Sequence, residues 1–235
     1  MQDTPDRYRA LITTEALDPQ NVQSWMRLRK RLFVEECGWK LPTDDGTERD
    51  EFDGAHTEHA LLFHDDELVG GFRAISTDRP YLSASKFIQL SQRPFPRQPN
   101  VWEISRFGIL KSRRQRLAPQ LNYALMFRFS ALRGAKALVA VADLTYERFL
   151  ERMAIQTHRY GPPQTIGEDT HGRPLVAVAG EIPLGLRQNP GLARFFTLGS
   201  QLEIQDEAHV FRRGGVPTRP LDVSVGARQR GAAGS

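Results

Sequence analysis

Val101-Trp102-Glu103-Ile104-Ser105-Arg106-Phe107-Gly108-Ile109-Leu110 is the stretch on which the reading of this chain turns. It reads as a buried strand that contains a carboxylate and a guanidinium. Burying a charge costs several kcal/mol unless it is paired and hydrogen-bonded. Packing gives no reason to place Glu103 and Arg106 here, so they are candidates for chemistry as well as for a structural ion pair. Residues three apart in a regular strand point to opposite faces. The two side chains therefore meet only if a bulge intervenes; otherwise each serves its own side.

The chain around this strand has 235 residues, 40% hydrophobic and 26% charged, the balance of an ordinary globule. No apolar run approaches the roughly 20 residues that cross a bilayer. The first residues, Met-Gln-Asp-Thr-Pro-Asp, lack the apolar core of a signal peptide. Cys37 is the only cysteine, so no intrachain disulfide forms. A cytoplasmic location is the expectation. Residues 211–235 carry Arg212, Arg213, Arg219, Arg228 and Arg230 against Asp222, five positive charges minus one, or +4. The whole chain is also +4, so residues 1–210 are formally neutral. The basicity belongs to the end of the chain, which argues against a nucleic-acid-binding face on the globule. The expected organisation is one domain over 1–211 and a disordered basic tail over 212–235.

From Pro19 to Glu36 the pattern predicts a helix with Val22, Trp25, Met26, Leu32 and Phe33 on one stripe. Arg29 falls at the centre of that stripe and needs an anionic partner. Gly38 ends the helix. Residues 39–53 are polar and acidic and read as an ordered loop, anchored by Trp39 and Phe52. A hairpin follows, Ala60–His64 and Leu68–Ile75, in which Gly70-Gly71 predicts a bulge or a close backbone approach. Arg73 shares a strand face with Val69, Gly71 and Ile75. Beyond the Glu103 strand come a helix over 117–134, a strand over 137–144, a helix over 145–155 and a strand over 175–182; residues 186–211 add a further helix. A strand meander followed by alternating strands and helices predicts a three-layer α/β/α sandwich with a mixed central sheet, the type found in N-acyltransferases that use acyl thioesters.

Three cations (Arg29, Arg73, Arg106) and four acids (Glu48, Asp50, Asp53, Glu103) thus occupy apolar strand or helix positions or the ordered loop. One account pairs them with each other. The other makes them the lining of a polar cavity, because so many costly placements fall in one domain. Such a cavity suits a zwitterion: carboxylates hold an ammonium or sulfonium and a guanidinium holds a carboxylate. Trp39, Phe33 and Phe87 are candidates to close it with aromatic faces. His56, His59 and His64 have mixed spacing and no cysteine partners, so they read as surface histidines and no metal is expected.

These residues resemble, in order, the pattern of the acyl-homoserine lactone synthases, which make bacterial quorum-sensing signals. The resemblance runs from about Leu28 to about Ile182. It consists of Arg29 with Phe33 and the Gly38-Trp39 pair, the run Glu48, Asp50 and Asp53, and the strand arginine Arg73. The turn Thr77, Pro80 and Tyr81 with Phe87 follows, and then Trp102 to Phe107, including Ser105. The resemblance implies a GNAT-like fold and a two-substrate reaction with no prosthetic group. S-adenosylmethionine donates its amine to an acyl thioester, carried by acyl-carrier protein or coenzyme A. Its carboxylate then closes the lactone and expels methylthioadenosine.

On this resemblance Glu103 is the first candidate for the base and Asp50 the second. Arg29, Trp39, Asp50 and Arg106 are assigned to the adenosylmethionine side, and Arg73, Asp53 and Glu48 to a network tying the loop down. Lys111, Arg113, Arg114 and Arg116 suit the phosphopantetheine arm or an acidic carrier protein. Arg116 stands where ordinary acetyltransferases have a phosphate-loop glycine. The acyl pocket is expected around Leu121, Leu125, Met126, Val139, Val141, Phe149 and Met153. Ala142 stands where makers of 3-oxo products often have Thr, which argues against a 3-oxo product. The Gly-Trp-Lys and Asp-Gly-x-Glu spacing resembles the branch that takes acyl-coenzyme A. Acyltransferases associated with exosortase systems and generic coenzyme-A N-acetyltransferases are the alternatives; a nucleic-acid binder using the arginine tail is a distant third.

Overall fold

Strand β1 (Tyr8–Thr13) leads into helix α1 (Pro19–Arg29). Asp18 caps α1 by accepting the Asn21 N–H at 3.0 Å, and Pro19 supplies the preset first helical residue. The helix runs straight into a π-helical segment, Lys30–Glu36, whose wider turns are typical of functional positions. Gly38, at φ +70°, ends it. A small hairpin, β2 (Thr43–Asp44) and β3 (Thr47–Glu48), precedes the long one, β4 (Glu58–His64) and β5 (Glu67–Ser76). Then come α2 (Leu82–Lys86), β6 (Val101–Ile109), α3 (Ala118–Leu132), β7 (Ala137–Asp143) and α4 (Leu144–Arg152). The chain continues through β8 (His158–Arg159), β9 (Gln164–Glu168), β10 (Pro174–Pro183), α5 (Ala193–Ser200), β11 (Glu203–Asp206) and α6 (Glu207–Arg212). This computed structural model describes residues 7–111 and 116–212. The basic tail anticipated for 212–235 lies, apart from Arg212, outside the described residues.

The main sheet runs β11-β1-β4-β5-β6-β7-β10-β8, with β9 also paired to β10. The β1–β11 and β6–β7 pairs are parallel and the others antiparallel, so the sheet is mixed. On one face α3 and α5 cover Trp102, Ile104 and Leu138 with Met126, Phe129 and Phe195. On the other, α1 and the π segment cover Leu61 and Phe63, and Phe52 and Tyr81 cover Ile75 and Val139. Helices on both faces explain why every residue of β4 is buried. His59 and His64 are therefore core residues, against the expectation of surface histidines.

Two irregularities shape the middle of the sheet. Arg73 pairs with Ser105 and Gly71 with Gly108, so one residue of β5 faces two of β6. This bulge is centred on Arg106, which adopts φ +53°. Ahead of it Trp102 and Ile104 face α3 while Val101 and Glu103 face the opposite layer; past it Phe107 and Ile109 face α3. The second irregularity is a split: β6 and β7 pair only over Val101–Ala137, Trp102–Leu138 and Glu103–Val139. Beyond that level β6 continues to Ile109 and β7 to Asp143 with no ladder between them.

The edge strands were not legible in the sequence. β11 is Glu-Ile-Gln-Asp, with no apolar alternation, and it takes the place of part of the helix anticipated over 186–211. No helix among the described residues is long and apolar enough to cross a membrane.

Candidate active site

Three arginines from three elements reach one point. Arg29 ends α1, Arg73 lies in β5 and Arg106 in the β6 bulge. The loop after the π segment folds its carboxylates onto them. Arg29 Nε donates to Glu48 Oε2 at 2.6 Å, and its Nη1 and Nη2 donate to Asp53 at 2.7 and 2.9 Å. Arg73 Nη1 bonds Asp50 and lies 3.2 Å from Asp53, while its Nε donates to Ser105 Oγ at 2.9 Å. Arg106 donates to Glu48 at 3.0 and 2.8 Å and to Asp50 at 2.8 Å.

Three guanidiniums thus balance three carboxylates, which is what permits their burial. Burial opposes the charge on Asp53, but the Arg29 hydrogen bonds and the charges of Arg29 and Arg73 hold its carboxyl well below the usual range. Glu48 is likewise held down, against burial, by Arg106 and Arg29. The side chains of Asp50 and Arg106 are 6% and 7% exposed, whereas those of Arg29, Glu48 and Arg73 are fully buried. The open edge of the network is therefore Asp50 and Arg106. Arg29 is fully buried, with all three guanidinium nitrogens hydrogen-bonded to Glu48, Asp53 and Met26, so it ties the loop to α1. Arg73, read as a loop tie, keeps a buried Nη2 with no partner.

Glu103 stands apart from this network and does not touch Arg106. Its carboxylate accepts the Leu82 and Ser83 N–H groups at 3.0 and 2.6 Å and the Ser83 hydroxyl. It thereby closes the start of α2 from the neighbouring strand. Burial raises its pKa in spite of the Ser83 hydrogen bonds that oppose the shift.

The aromatic residues divide. Trp39 stacks on Phe33 with ring centroids 5.3 Å apart. A Cβ on Gly108 would come within 2.9 Å of Phe33 Cζ, so this glycine lets the π segment close on β6. Phe87 instead packs in the Tyr81–Val139 cluster beyond α2. Phe107, turned by the bulge, lies on the other face, 4.7 Å from Tyr123 and 5.8 Å from Tyr146.

That other face holds a partly open apolar cleft with a cavity volume of about 50 Å³. Ala142 lines it, with Ala140 and Leu138 beside it on β7 and Ile104 on β6. Of the other pocket residues expected from the sequence, Met126 lines it; Leu121, Leu125, Val139, Val141, Phe149 and Met153 do not. Val139 and Val141 alternate to the opposite face of β7. Lys111 and Arg116 are exposed between β6 and α3, and Arg113 and Arg114 lie outside the described residues.

Two residues escaped the sequence reading. Ser83 holds Glu103, and its only signal is its place behind the Pro80-Tyr81 turn. Asn122, buried in α3, donates to the Gly108 carbonyl at 3.2 Å beside the bulge, and a lone Asn in an apolar helix was the available clue. Among the described residues no group of three or more His, Cys, Asp or Glu side chains is arranged to hold a metal ion.

The autoinducer synthase pattern matches residues 14–178. An acyl-homoserine-lactone synthase from Ralstonia nicotianae is 36% identical over 161 residues, covering 63% of this chain and 76% of that protein. One from Acinetobacter nosocomialis is 32% identical over 149 residues, covering 59% and 81%. Among solved structures, TofI in a ternary complex with an inhibitor and MTA superposes with a TM-score of 0.65 at 30% identity, over 80% of this chain and 96% of that one. The charge network, the split sheet and the apolar cleft are therefore those of a chain that belongs to the autoinducer synthase family.

Proposed function

We propose that this acyl-homoserine-lactone synthase receives its two substrates from opposite faces of the sheet and joins them in the split between β6 and β7. S-adenosylmethionine lies on the network face, against Trp39, Phe33, Asp50 and Arg106, where Asp50 meets positive charge. The buried, unpartnered Arg73 Nη2 is suited to the methionyl carboxylate. The acyl chain lies in the apolar cleft of the other face. Its thioester arm follows the unpaired edges of β6 and β7 toward Lys111 and Arg116, and the donor is an acyl thioester of coenzyme A or a carrier protein.

The amine must lose a proton before it attacks the thioester carbonyl. Glu103 suits that role better than Asp50: its pKa is raised by burial, whereas Asp50 has one oxygen on Arg73 and the other on Arg106. The nitrogen bonds the carbonyl carbon and the thiol leaves. A carboxylate oxygen then attacks the γ-carbon in line with the sulfonium, and methylthioadenosine departs with the electron pair of the broken C–S bond. Backbone N–H groups of the bulged strand are suited to the tetrahedral oxyanion. The proposal includes a cytoplasmic location, where adenosylmethionine and acyl thioesters are made.

The observation that carries this reading is the bulge at Arg106, which turns Glu103, Ser105 and Arg106 to one face at the level where the strands part. Purified protein given S-adenosylmethionine and acyl thioesters should yield an N-acyl-homoserine lactone and methylthioadenosine in equal amounts by mass spectrometry. An acylated adenosylmethionine that accumulates without lactone would refute the second half of the reaction; no acyl transfer from any thioester would refute the whole.

A further inference from the structure

The cleft runs across the sheet rather than along it. Its lining passes from Ile104 on β6 through Ala140 on β7 and Gly180 on β10 to Arg159 on β8, the edge strand. On the sheet side the small residues Ala140, Ala142 and Gly180 lie among Ile104, Leu138, Val178 and Ile182, and Leu150 of α4 and Met126 of α3 line it from the helices. The far end changes character. Glu147, buried in α4, accepts two hydrogen bonds from Arg159, Nε to Oε1 and Nη2 to Oε2, both at 2.6 Å. The Arg159 side chain is 46% exposed and also lines the cleft, so it stands between that space and solvent at the edge of the sheet. Beside it Glu181 is also engaged, accepting from the Tyr160 hydroxyl at 2.6 Å.

We infer that the Glu147–Arg159 ion pair is the end stop of the acyl site and sets the longest acyl chain the enzyme accepts. The inference rests on the reading of this cleft as the acyl site. An apolar chain tip gains nothing from a bidentate pair whose bonds are already made. To pass, it must separate the pair and leave Glu147 buried without its partner, which is strongly unfavourable. From the β6–β7 split to β8 is about two and a half strand spacings, roughly 12 Å. With C–C bonds of about 1.5 Å an extended chain advances roughly 1.3 Å per carbon, so the space suits about eight to nine carbons. Removing the stop opens the cleft to solvent at the edge of the sheet, because no strand lies beyond β8 among the described residues.

The test is the length profile of kcat/KM for straight-chain acyl thioesters from butanoyl to tetradecanoyl, presented on coenzyme A and on acyl carrier protein, in wild type and in E147L/R159M. Wild type should fall off beyond the eight-to-nine-carbon region. The double variant, which removes both charges together, should raise the ratio of dodecanoyl to hexanoyl turnover by about tenfold or more, the discrimination that one or two methylenes carry in an apolar pocket. An unchanged ratio in a folded variant overturns the end stop. E147Q/R159A, which neutralises Glu147 while it shortens the half-exposed Arg159, gives the same readout if the first double variant does not fold. Length-dependent stabilisation of the protein by the acyl thioesters, read by thermal shift, separates the two readings. A cut-off in binding that E147L/R159M abolishes supports the stop even where no lactone forms, and binding without any length dependence refutes it.

Discussion

Glu103 and Arg106 lie three residues apart in β6 and share a face of the sheet because Arg106 takes a left-handed backbone conformation, φ +53°. The side chains do not touch. Glu103 holds the start of α2, and Arg106 holds Glu48 and Asp50. The bulge thus turns a carboxyl of raised pKa and the open edge of a neutral charge network to the same face of the sheet, while Phe107 swings to the other face.

Arg106 carries both a charge and a conformation, and substitutions separate them. Non-glycine residues in the left-handed region cost about 1–2 kcal/mol relative to the right-handed one. Arg106→Gly should keep the bulge and lose the guanidinium; Arg106→Ala should lose the guanidinium and keep the strain. Both should lower lactone formation by about a hundredfold or more, with the glycine variant the more stable by about 1 kcal/mol in urea unfolding. An alanine variant at least as stable as the glycine variant would show that the backbone there is unstrained.

Arg29 is fully buried and bonds Glu48 and Asp53 together. The sequence pattern alone predicts that Arg29→Ala is folded and inactive. With the geometry known, the expected result is loss of about 3–5 kcal/mol of stability, because two buried carboxylates lose their common partner. Chemical denaturation measures it, and a loss below about 1 kcal/mol would mean that the network relaxes into solvent.

His59 lies in the core of β4 beside this network, and burial lowers its pKa to about 3. The unfolded chain binds that proton near pH 6.5. The folded state therefore binds fewer protons between those values, and stability is lost as pH falls from about 6.5 toward 3, at about 1.4 kcal/mol per pH unit. Asp53 and Glu48, whose pKa values are lowered on folding, add to the loss once the pH drops below about 4. Unfolding free energies measured from pH 7 to 4 should slope this way in wild type and flatten in His59→Leu down to about pH 4; equal slopes would remove His59 from the account.

Gly108 lies under Phe33, which stacks on Trp39. Gly108→Ala should push that pair outward and raise KM for S-adenosylmethionine several-fold, with little change in KM for the acyl thioester. A rise confined to the acyl thioester would put Trp39 and Phe33 on the wrong substrate.

The charged site was legible in the sequence because buried charge is costly: Arg29, Arg73 and Glu103 could be marked from apolar patterning alone. Their grouping was not, since pairing depends on which residue of β6 bulges, and a left-handed arginine leaves no trace in composition. The strand–helix alternation gave the sandwich and most of its central strands. The edge strand β11 stayed hidden because its pairing with β1 is set by tertiary contact, without apolar periodicity. The residues expected around the acyl pocket divide across β7: Ala142 and Met126 line the apolar cleft, whereas Val139 and Val141 face the other layer although they look more like a pocket lining than the alanines do. An apolar cleft is made where side chains are small, so the alanines were the better signal.

The central claim is that the two substrates approach from opposite faces of the sheet and meet where β6 and β7 part. A structure of the protein bound to methylthioadenosine and a non-hydrolysable octanoyl-coenzyme A analogue tests it most directly. The account predicts the adenosine ligand against Trp39 and the Asp50–Arg106 edge, the acyl chain over Ala140 and Ala142, and the thioester carbonyl between β6 and β7 near Glu103. Both ligands on one face of the sheet, or an acyl chain lying outside the Ala140–Arg159 cleft, would contradict it.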